Sequence, residues 1–145
     1  MSGYMDQAKR DDWGTPMNLF DELEAEFGFF DLDAAASAEN ALCEQFYDVE
    51  SNGLTSEWFG RVFVNPPYGR GLIHWVQKAL DEHEKRGPIL TVMLLPSRTC
   101  TRWFHLLYEH PDVELRFIKG RLKFGGSSTS APFPSLLVII RGRFD

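Results

Sequence analysis

The chain has 145 residues, of which 43% are hydrophobic, and this composition suits one compact domain with a single core. Its formal net charge of −6 argues mildly against a nucleic-acid partner, because affinity for DNA comes mainly from lysine and arginine. No window approaches the roughly 20 apolar residues of a membrane span, and the cysteines and histidines fall into no disulfide or metal-ligand pattern. We therefore expect a cytoplasmic protein with no membrane span and no metal.

The N-terminal residues 1–12 are polar and predict a flexible tail, so that a single domain is expected over residues 13–145. Thr15 and Pro16 are typical of a helix start, with the threonine side chain as the cap and the proline at the first helical position. The apolar spacing that follows predicts a helix up to Gly28. Two further helices are predicted around residues 72–80 and over residues 101–109.

Seven short apolar or β-branched runs predict the strands of a sheet. Strands and helices alternate early in the chain, whereas the last strands follow one another directly. This order predicts an α/β fold, with a mainly parallel, doubly wound mixed sheet that binds ligands at the carboxyl ends of its strands. The last two strands are expected to form a C-terminal antiparallel hairpin around a Gly/Ser-rich turn. The predicted strands are residues 29–32, 45–48, 61–64, 89–95, 113–118, 121–124 and 136–140.

The strongest functional signal is the run Asn65-Pro66-Pro67-Tyr68, which directly follows a predicted strand. Two prolines stiffen the loop and remove two backbone donors, so that the Pro66 carbonyl can point outward as a fixed acceptor. The Asn65 amide oxygen supplies a second acceptor. Two acceptors that converge on one amine orient its lone pair toward an electrophile, and the Tyr68 ring offers a face for a planar base. These four residues form the predicted catalytic loop.

Basic residues concentrate in the C-terminal part of the chain. Lys119, Arg121 and Lys123 alternate along a predicted strand, which places them on one face. Arg98 follows the central strand, where it can contact a phosphate, and Arg70 follows the catalytic loop. These five cations are the candidate nucleic-acid contacts, on a basic face of an otherwise acidic body. An ordinary solvated surface is the alternative interpretation.

Several motifs occur in one order along the chain: Trp13-Gly14-Thr15-Pro16, Leu32-Asp33-Ala34-Ala35, Phe63-Val64-Asn65-Pro66-Pro67-Tyr68-Gly69, Leu95-Pro96 with Arg98-Thr99, and Gly120-Arg121-Leu122-Lys123-Phe124. Through them the chain resembles the phage-type, Dam-like DNA N6-adenine methyltransferases with an Asn-Pro-Pro-Tyr motif, over nearly its whole length. Many spaced matches in one order are more specific than a single tetrapeptide.

The resemblance implies a Rossmann-like fold of the S-adenosylmethionine-dependent methyltransferase type. It implies site-specific transfer of a methyl group from S-adenosylmethionine to the N6 amine of an adenine flipped out of double-stranded DNA. A phage-encoded enzyme of this kind is expected in the host cell cytoplasm. The resemblance assigns the four residues of the catalytic loop to the amine and the base. The implied cofactor contacts are Trp13, Thr15, Pro16, Asp31 or Asp33, Ala34 and Asn65.

Two cofactor contacts rest on further sequence features. The loop that begins at Asp33 and Ala34 carries alanines where related enzymes often have a glycine-rich turn, and small residues there either admit a ligand or pack a helix start. Asp48 ends the second predicted strand, where a carboxylate can accept hydrogen bonds from a ribose, although an exposed turn acid fits the same pattern.

Other functions fit the catalytic loop by itself. The same acceptor pair suits an amine methyltransferase that acts on RNA or on glutamine in proteins, and a non-catalytic DNA-binding scaffold would keep the fold without turnover. The motifs outside the loop favour adenine in DNA. The target sequence and the oligomeric state stay open, and a dimer would supply a larger basic surface than one acidic subunit.

Overall fold

The computed structural model describes residues 13–125 and 128–143, so the predicted tail at residues 1–12 lies outside the described residues. The described part contains one sheet of six strands and three helices. In chain order these elements are α1 (Met17–Phe27), β1 (Leu32–Asp33), β2 (Gln45–Phe46), β3 (Gly60–Val64), α2 (Leu72–Glu84), β4 (Pro88–Pro96), α3 (Arg102–Tyr108), β5 (Val113–Phe117) and β6 (Ser135–Arg141).

The strands lie in the order β2-β1-β3-β4-β6-β5. The first four of this order are parallel to one another. Strand β6 is antiparallel to both of its neighbours, so β5 points in the same direction as β4. The mainly parallel α/β sheet that the sequence predicts is therefore confirmed, with β6 as the one reversed strand of the described residues.

A C-terminal antiparallel pair of consecutive strands is present, but its first strand is β5 and not the predicted residues 121–124. Residues 121–124 form no strand, and the antiparallel partners of β6 are β4 and β5. Because β6 has a strand on each side, it offers no free edge to a further strand. Gly120, with φ of 76°, turns the chain after β5. In the segment that follows, the Ala131 N–H donates a hydrogen bond to the Leu122 carbonyl (2.8 Å).

The start of the domain differs from its prediction in two places. Helix α1 begins at Met17 and not at Pro16, which is the N-cap residue, and no side chain caps the helix. The hydroxyl of Thr15 is engaged elsewhere, by Asn65. The first strand is Leu32–Asp33 and not residues 29–32, because Gly28 at φ of 88° ends the helix and the chain then leaves Phe29 in solvent.

The core is built around the two long central strands, β4 and β6, whose successive side chains are buried on both faces of the sheet. Helix α1 packs Phe20 against Phe30 and against Phe63 of β3, with ring centroids 5.6 and 5.2 Å apart. These three aromatic side chains fix α1 beside the parallel part of the sheet. The N-terminal segment before α1 is thereby held next to the end of β3.

A buried chain of contacts supports the segment that follows β1. Glu82 of α2 is 2% exposed and accepts a hydrogen bond from the Trp58 N–H (2.8 Å), while the Trp58 indole donates to the Gly53 carbonyl (2.8 Å). Any Cβ at Gly53 would lie 2.0 Å from the carbonyl oxygen of Ala34. Glycine is required there, and helix α2 in this way braces the backbone at the end of β1.

We expect Glu82→Ala to destabilise the fold by about 1–3 kcal/mol, because it leaves the buried Trp58 N–H without an acceptor. Glu82→Gln keeps an oxygen for this N–H and should lose clearly less. Urea unfolding followed by tryptophan fluorescence measures both, with the exposed Glu22→Ala as the control for removal of a glutamate side chain. Equal stabilities for the Ala and Gln variants would contradict this account.

Candidate active site

The carboxyl ends of β1 and β3 meet at one edge of the sheet. From β1 the chain passes to β2 on one side, whereas β3 lies on the other side of β1. Open α/β sheets bind their ligands at such a reversal of strand order. Asp33 is the last residue of β1, and Asn65 directly follows β3. The structure therefore brings together two of the residues that the sequence singled out.

A cleft of about 570 Å³ lies at this edge. Its volume falls in the range of small-molecule and cofactor pockets. The cleft walls come from the segment before α1, the ends of β1 and β3, the segment between β1 and β2, and the segment after β5. The lining residues are Trp13, Gly14, Thr15, Met17, Asp33, Ala35, Glu39, Asn40, Ala41, Leu42, Asn65 and Gly125.

Asn65 is half-buried and uses both ends of its side-chain amide. Its Nδ2 donates to the Trp13 carbonyl and to the Thr15 hydroxyl, the latter at 3.0 Å. Its Oδ1 accepts from the Tyr68 hydroxyl at 2.9 Å. The amide oxygen has a second lone pair, which remains available to a ligand. Asn65 thus joins the loop after β3 to the segment before α1.

The remaining residues of the predicted catalytic loop differ in exposure. Pro66 is buried and Pro67 is exposed. Within the described residues the Pro66 carbonyl accepts no backbone hydrogen bond. Tyr68 is 2% exposed, and its hydroxyl lies 2.9 Å from the Leu94 carbonyl as well as from Asn65. Burial raises the pKa of the Tyr68 phenol, which stays protonated and donates.

The Tyr68 ring is covered by two phenylalanines. Phe124 and Phe133 contact it edge-on, with centroid distances of 6.3 and 5.7 Å, and the same two rings also contact Trp13. The ring face that the sequence predicts as a stacking platform is therefore not exposed in this structure. The contacts join the catalytic loop, the segment before α1 and the segment after β5 in one aromatic cluster, defined by these four residues.

Asp33 is a buried carboxylate in the wall of the cleft, 4% exposed. Its two oxygens accept hydrogen bonds from the backbone N–H groups of Leu42 (3.1 Å) and Ala35 (3.4 Å). Burial raises the pKa of Asp33 to about 6, and the two N–H groups offset part of this increase. Asp33 therefore holds the segment between β1 and β2 and titrates close to neutral pH.

The other two predicted acidic contacts lie apart from the cleft. Asp31 precedes β1, so it lies toward the opposite end of the strand, where its carboxylate accepts from the Arg61 N–H at 2.8 Å. The Asp48 carboxylate accepts from the Ser51 N–H (2.8 Å) and hydroxyl (2.9 Å). These bonds lower the pKa of Asp48. Neither residue lines the cleft: the Asp31 carboxylate is held by β3, and the Asp48 carboxylate is held within its own turn.

Of the predicted cofactor contacts near the chain start, Trp13 and Thr15 line the cleft, whereas Pro16 does not. Ala34 also lies outside the lining, because its side chain is fully buried and its N–H donates to the Phe63 carbonyl at 3.0 Å. The neighbouring Ala35 lines the cleft in its place. The loop that the resemblance singled out thus reaches the cleft, and the packing decides which of its alanines lines it.

The predicted nucleic-acid contacts are all exposed. Arg70 and Arg98 follow β3 and β4. Burial raises the pKa of the Tyr68 phenol, and the positive charge of Arg98 opposes part of this increase, so Arg98 lies near the catalytic loop. Residues 119–123 follow the carboxyl end of β5. Since β5 points the same way as β4, all these cations leave the sheet at the edge that carries the cleft.

Other basic residues near the C-terminus are paired. Arg116 forms a two-bond contact with Glu26 (2.7 Å each), and Arg141 pairs with Glu114 (2.7 Å). By contrast, none of the five predicted cations forms an ion pair with a described residue. The basic cluster in the sequence therefore separates into arginines paired with carboxylates and an unpaired group at the cleft edge.

Sequence analysis missed two groups of site residues. Phe124 and Phe133 cover the catalytic loop, and residues 39–42 form a wall of the cleft. Phe124 belongs to a motif of the resemblance, but its contact with Tyr68, which lies far away in the sequence, leaves no local pattern.

Residues 13–125 and 128–143 contain no group of three or more His, Cys, Asp or Glu side chains placed to hold a metal ion. No helix in the described part of the chain is long and apolar enough to cross a membrane.

Comparison of the sequence with known proteins identifies its family. The profile of the family DNA N-6-adenine-methyltransferase (Dam) matches residues 3–142. A DNA N-6-adenine-methyltransferase of Escherichia phage T1 is 46% identical over 100 residues, which cover 67% of this chain and 40% of that protein. One of Haemophilus phage HP1 (strain HP1c1) is 31% identical over 125 residues, which cover 85% of this chain and 71% of that protein.

A shorter match supports the same grouping. The putative methyltransferase YfdM of Escherichia coli (strain K12) is 38% identical over 65 residues, which cover 40% of this chain and 71% of that protein. The chain spans less than half of the phage T1 relative and about seven tenths of the phage HP1 relative. The profile covers nearly all of the described domain, including the cleft and the loop at Asn65. The chain therefore belongs to the DNA N-6-adenine-methyltransferase (Dam) family.

Proposed function

We propose that this protein is an S-adenosylmethionine-dependent methyltransferase that modifies the N6 amine of adenine at specific sites in DNA. The observation that carries the proposal is the position of Asn65, which lines a cofactor-sized cleft and is the first residue of the Asn-Pro-Pro-Tyr loop. The phage T1 and phage HP1 relatives, both named DNA N-6-adenine-methyltransferases, support the same activity. The proposal includes the Rossmann-like, doubly wound methyltransferase fold, which the sheet order and the cleft at its reversal support.

The cleft fits S-adenosylmethionine in size and charge. This cofactor carries a sulfonium and an ammonium, and Asp33 supplies a buried carboxylate in the wall. Trp13 and Thr15 also line the cleft, together with Asn65. When bound, the cofactor supplies an electrophilic methyl group, so that the protein needs no nucleophile of its own. Asp31, Asp48, Pro16 and Ala34 have no part in this cleft.

The residues of the catalytic loop orient the amine. Oδ1 of Asn65 and the Pro66 carbonyl each accept one N–H of the exocyclic amine, which turns the nitrogen lone pair toward the methyl group. The two rigid prolines hold this pair of acceptors without a cost of ordering. Transfer of the methyl group would break its bond to the cofactor sulfur and leave a neutral thioether, while positive charge would develop on the amine and its hydrogen bonds to both acceptors would strengthen. The proton then leaves to solvent.

Adenine reaches this loop only after it leaves the base stack. Stacking on Tyr68 requires that Phe124 and Phe133 move away from its ring, since they cover it in this structure. Both belong to the segment after β5, which contains the exposed cations Arg121 and Lys123. We propose that contact of this segment with the DNA backbone accompanies uncovering of the loop.

The charge distribution supports a DNA partner in spite of the net charge of −6. Affinity for the backbone depends on the cations that face it and less on the total charge. Arg70, Arg98, Lys119, Arg121 and Lys123 surround the edge that carries the cleft, and none of them pairs with a described carboxylate. Double-stranded DNA would therefore approach the sheet at the carboxyl ends of its strands.

The first test is incubation of the purified protein with labelled S-adenosylmethionine and unmethylated double-stranded DNA, followed by nucleoside analysis. We expect label in N6-methyladenine. Asn65→Ala should lower the rate by about 100-fold or more, because it removes one of two preorganised acceptors, and should leave cofactor affinity within about threefold, a difference of under 1 kcal/mol. Label in RNA or protein but not in DNA would contradict the substrate, and absence of cofactor binding would contradict the activity.

The pKa of Asp33 gives a second test. The carboxylate attracts a cationic cofactor only when it is charged, and its charged fraction rises as the pH rises through about 6. The dissociation constant should therefore fall with rising pH, by at most about tenfold per pH unit below that value. Calorimetric titrations from pH 5 to 7.5 measure this dependence. Asp33→Asn should bind more weakly with a flat pH profile, and Asp48→Asn should keep the native profile; a pH-dependent Asp33→Asn variant would contradict the assignment.

The cation group at the cleft edge gives a third test. Arg121→Gln should weaken DNA binding and lower the slope of log affinity against log salt by about 1, as expected for one lost phosphate contact. Arg141→Gln makes the same change at an arginine that is paired with Glu114 on the opposite side, and should alter the affinity by less than about twofold. Fluorescence anisotropy with labelled duplex DNA measures both. Equal effects of the two variants would contradict the proposed face.

A further inference from the structure

The side-chain amide of Asn65 has a single orientation that fits its surroundings. The Trp13 carbonyl and the Thr15 hydroxyl lie on one side of it, and the Tyr68 hydroxyl lies on the other. A backbone carbonyl can only accept a hydrogen bond, so the atom that faces Trp13 must be the nitrogen. Both N–H groups of the amide are used on that side. The oxygen is therefore held on the side of Tyr68 and the catalytic loop.

The same surroundings distinguish asparagine from aspartate. A carboxylate is the stronger hydrogen-bond acceptor and would suit an amine ligand better. At position 65, however, a carboxylate would place an oxygen against the Trp13 carbonyl with no proton between them, in a half-buried site. Two such acceptors repel each other, and one is left unsatisfied. The segment before α1 thus requires an amide at this position.

From these contacts we infer that the Trp13 carbonyl and the Thr15 hydroxyl are positioning groups, which fix the acceptor oxygen of Asn65 in the orientation that receives the target amine. This inference rests on the proposed function for the identity of the amine. Thr15 acts through Asn65 and does not touch the reacting atoms. Its hydroxyl is free for this role because no side chain caps α1, although the sequence predicts Thr15 as that cap.

The segment that carries these groups is itself held on both sides. The Gly14 carbonyl accepts a hydrogen bond from the Gly125 N–H at 2.7 Å, and the Trp13 ring packs against Phe124 and Phe133. Trp13, Gly14 and Thr15 also line the cleft. Residues 13–15 therefore form part of the proposed cofactor site and also orient the Asn65 oxygen that accepts from the amine. The cofactor and the target amine would both lie next to this segment.

The test compares Thr15→Val with Thr15→Ser. Valine has the shape of threonine without the hydroxyl, so it removes one acceptor of Asn65 Nδ2, whereas serine keeps that acceptor. We expect Thr15→Val to lower kcat by about tenfold, as for the loss of one hydrogen bond at a positioned group. At saturating S-adenosylmethionine, the KM for DNA should change by less than about twofold, 0.4 kcal/mol. Thr15→Ser should restore kcat. Equal kcat for wild type and Thr15→Val, or no rescue by serine, would overturn the inference.

A spectroscopic measurement separates this inference from the proposed function. In ¹⁵N-labelled protein, the side-chain NH₂ signals of Asn65 are identified by their absence from Asn65→Ala. In Thr15→Val one of the two protons should shift upfield and exchange faster with water, and in Thr15→Ser both should resemble those of the wild type. This readout needs no turnover, so it tests the positioning contact even in a protein that does not methylate DNA. Unchanged Asn65 signals in Thr15→Val would overturn the inference.

Asn65→Asp tests the argument about the amide. We expect a fall in kcat larger than that of Thr15→Val and a lower unfolding temperature, although aspartate is the better acceptor. Asn52→Asp is the matched control, since its side-chain oxygen accepts the Leu54 N–H at 3.0 Å in a turn that lies outside the cleft lining. It introduces the same charge and should keep native activity. An Asn65→Asp variant with native or higher kcat would overturn the inference.

Discussion

The hydrogen bonds of the Asn65 side chain hold the site together. They join the loop after β3 to the segment before α1, over a separation of 50 residues along the chain. The position of Asn65 follows from β3, which lies next to β1 at the reversal of strand order. The position of its partners follows from α1, which is fixed to the sheet by aromatic packing of Phe20 on Phe63. The cleft between these parts depends on both.

Arginines that pair with glutamates and cations that pair with no described residue lie in different parts of the molecule. Arginines such as Arg116 and Arg141 are paired with glutamates and stabilise the packing of β5, β6 and α1. The cations that pair with no described residue follow the carboxyl ends of β3, β4 and β5. An acidic protein can therefore carry a basic edge, because glutamates elsewhere in the described structure pair with other arginines.

Burial gives the site its chemical character. Asp33 is withdrawn from water, which raises its pKa to about 6, and two backbone N–H groups keep it in place. Tyr68 is withdrawn further, so that its hydroxyl serves the Asn65 oxygen and the Leu94 carbonyl while its ring lies under Phe124 and Phe133. The Asp33 carboxylate is thus fixed in the cleft wall, whereas any ring that stacks on Tyr68 would require movement of Phe124 and Phe133.

The sequence by itself determined the α/β class of the fold and the family, and it singled out the loop from Asn65 to Tyr68, because these depend on local periodicity and on motifs contiguous in the chain. Asn65 after a β-branched strand and Asp33 after an apolar run were both recognised in this way. Only the tertiary structure decided that β6 lies between β4 and β5, that Ala35 and not Ala34 faces the cleft, and that Thr15 binds Asn65 instead of capping α1. Each of these depends on which partner occupies a neighbouring position in space, and contacts between distant parts of the chain leave no pattern in either local segment.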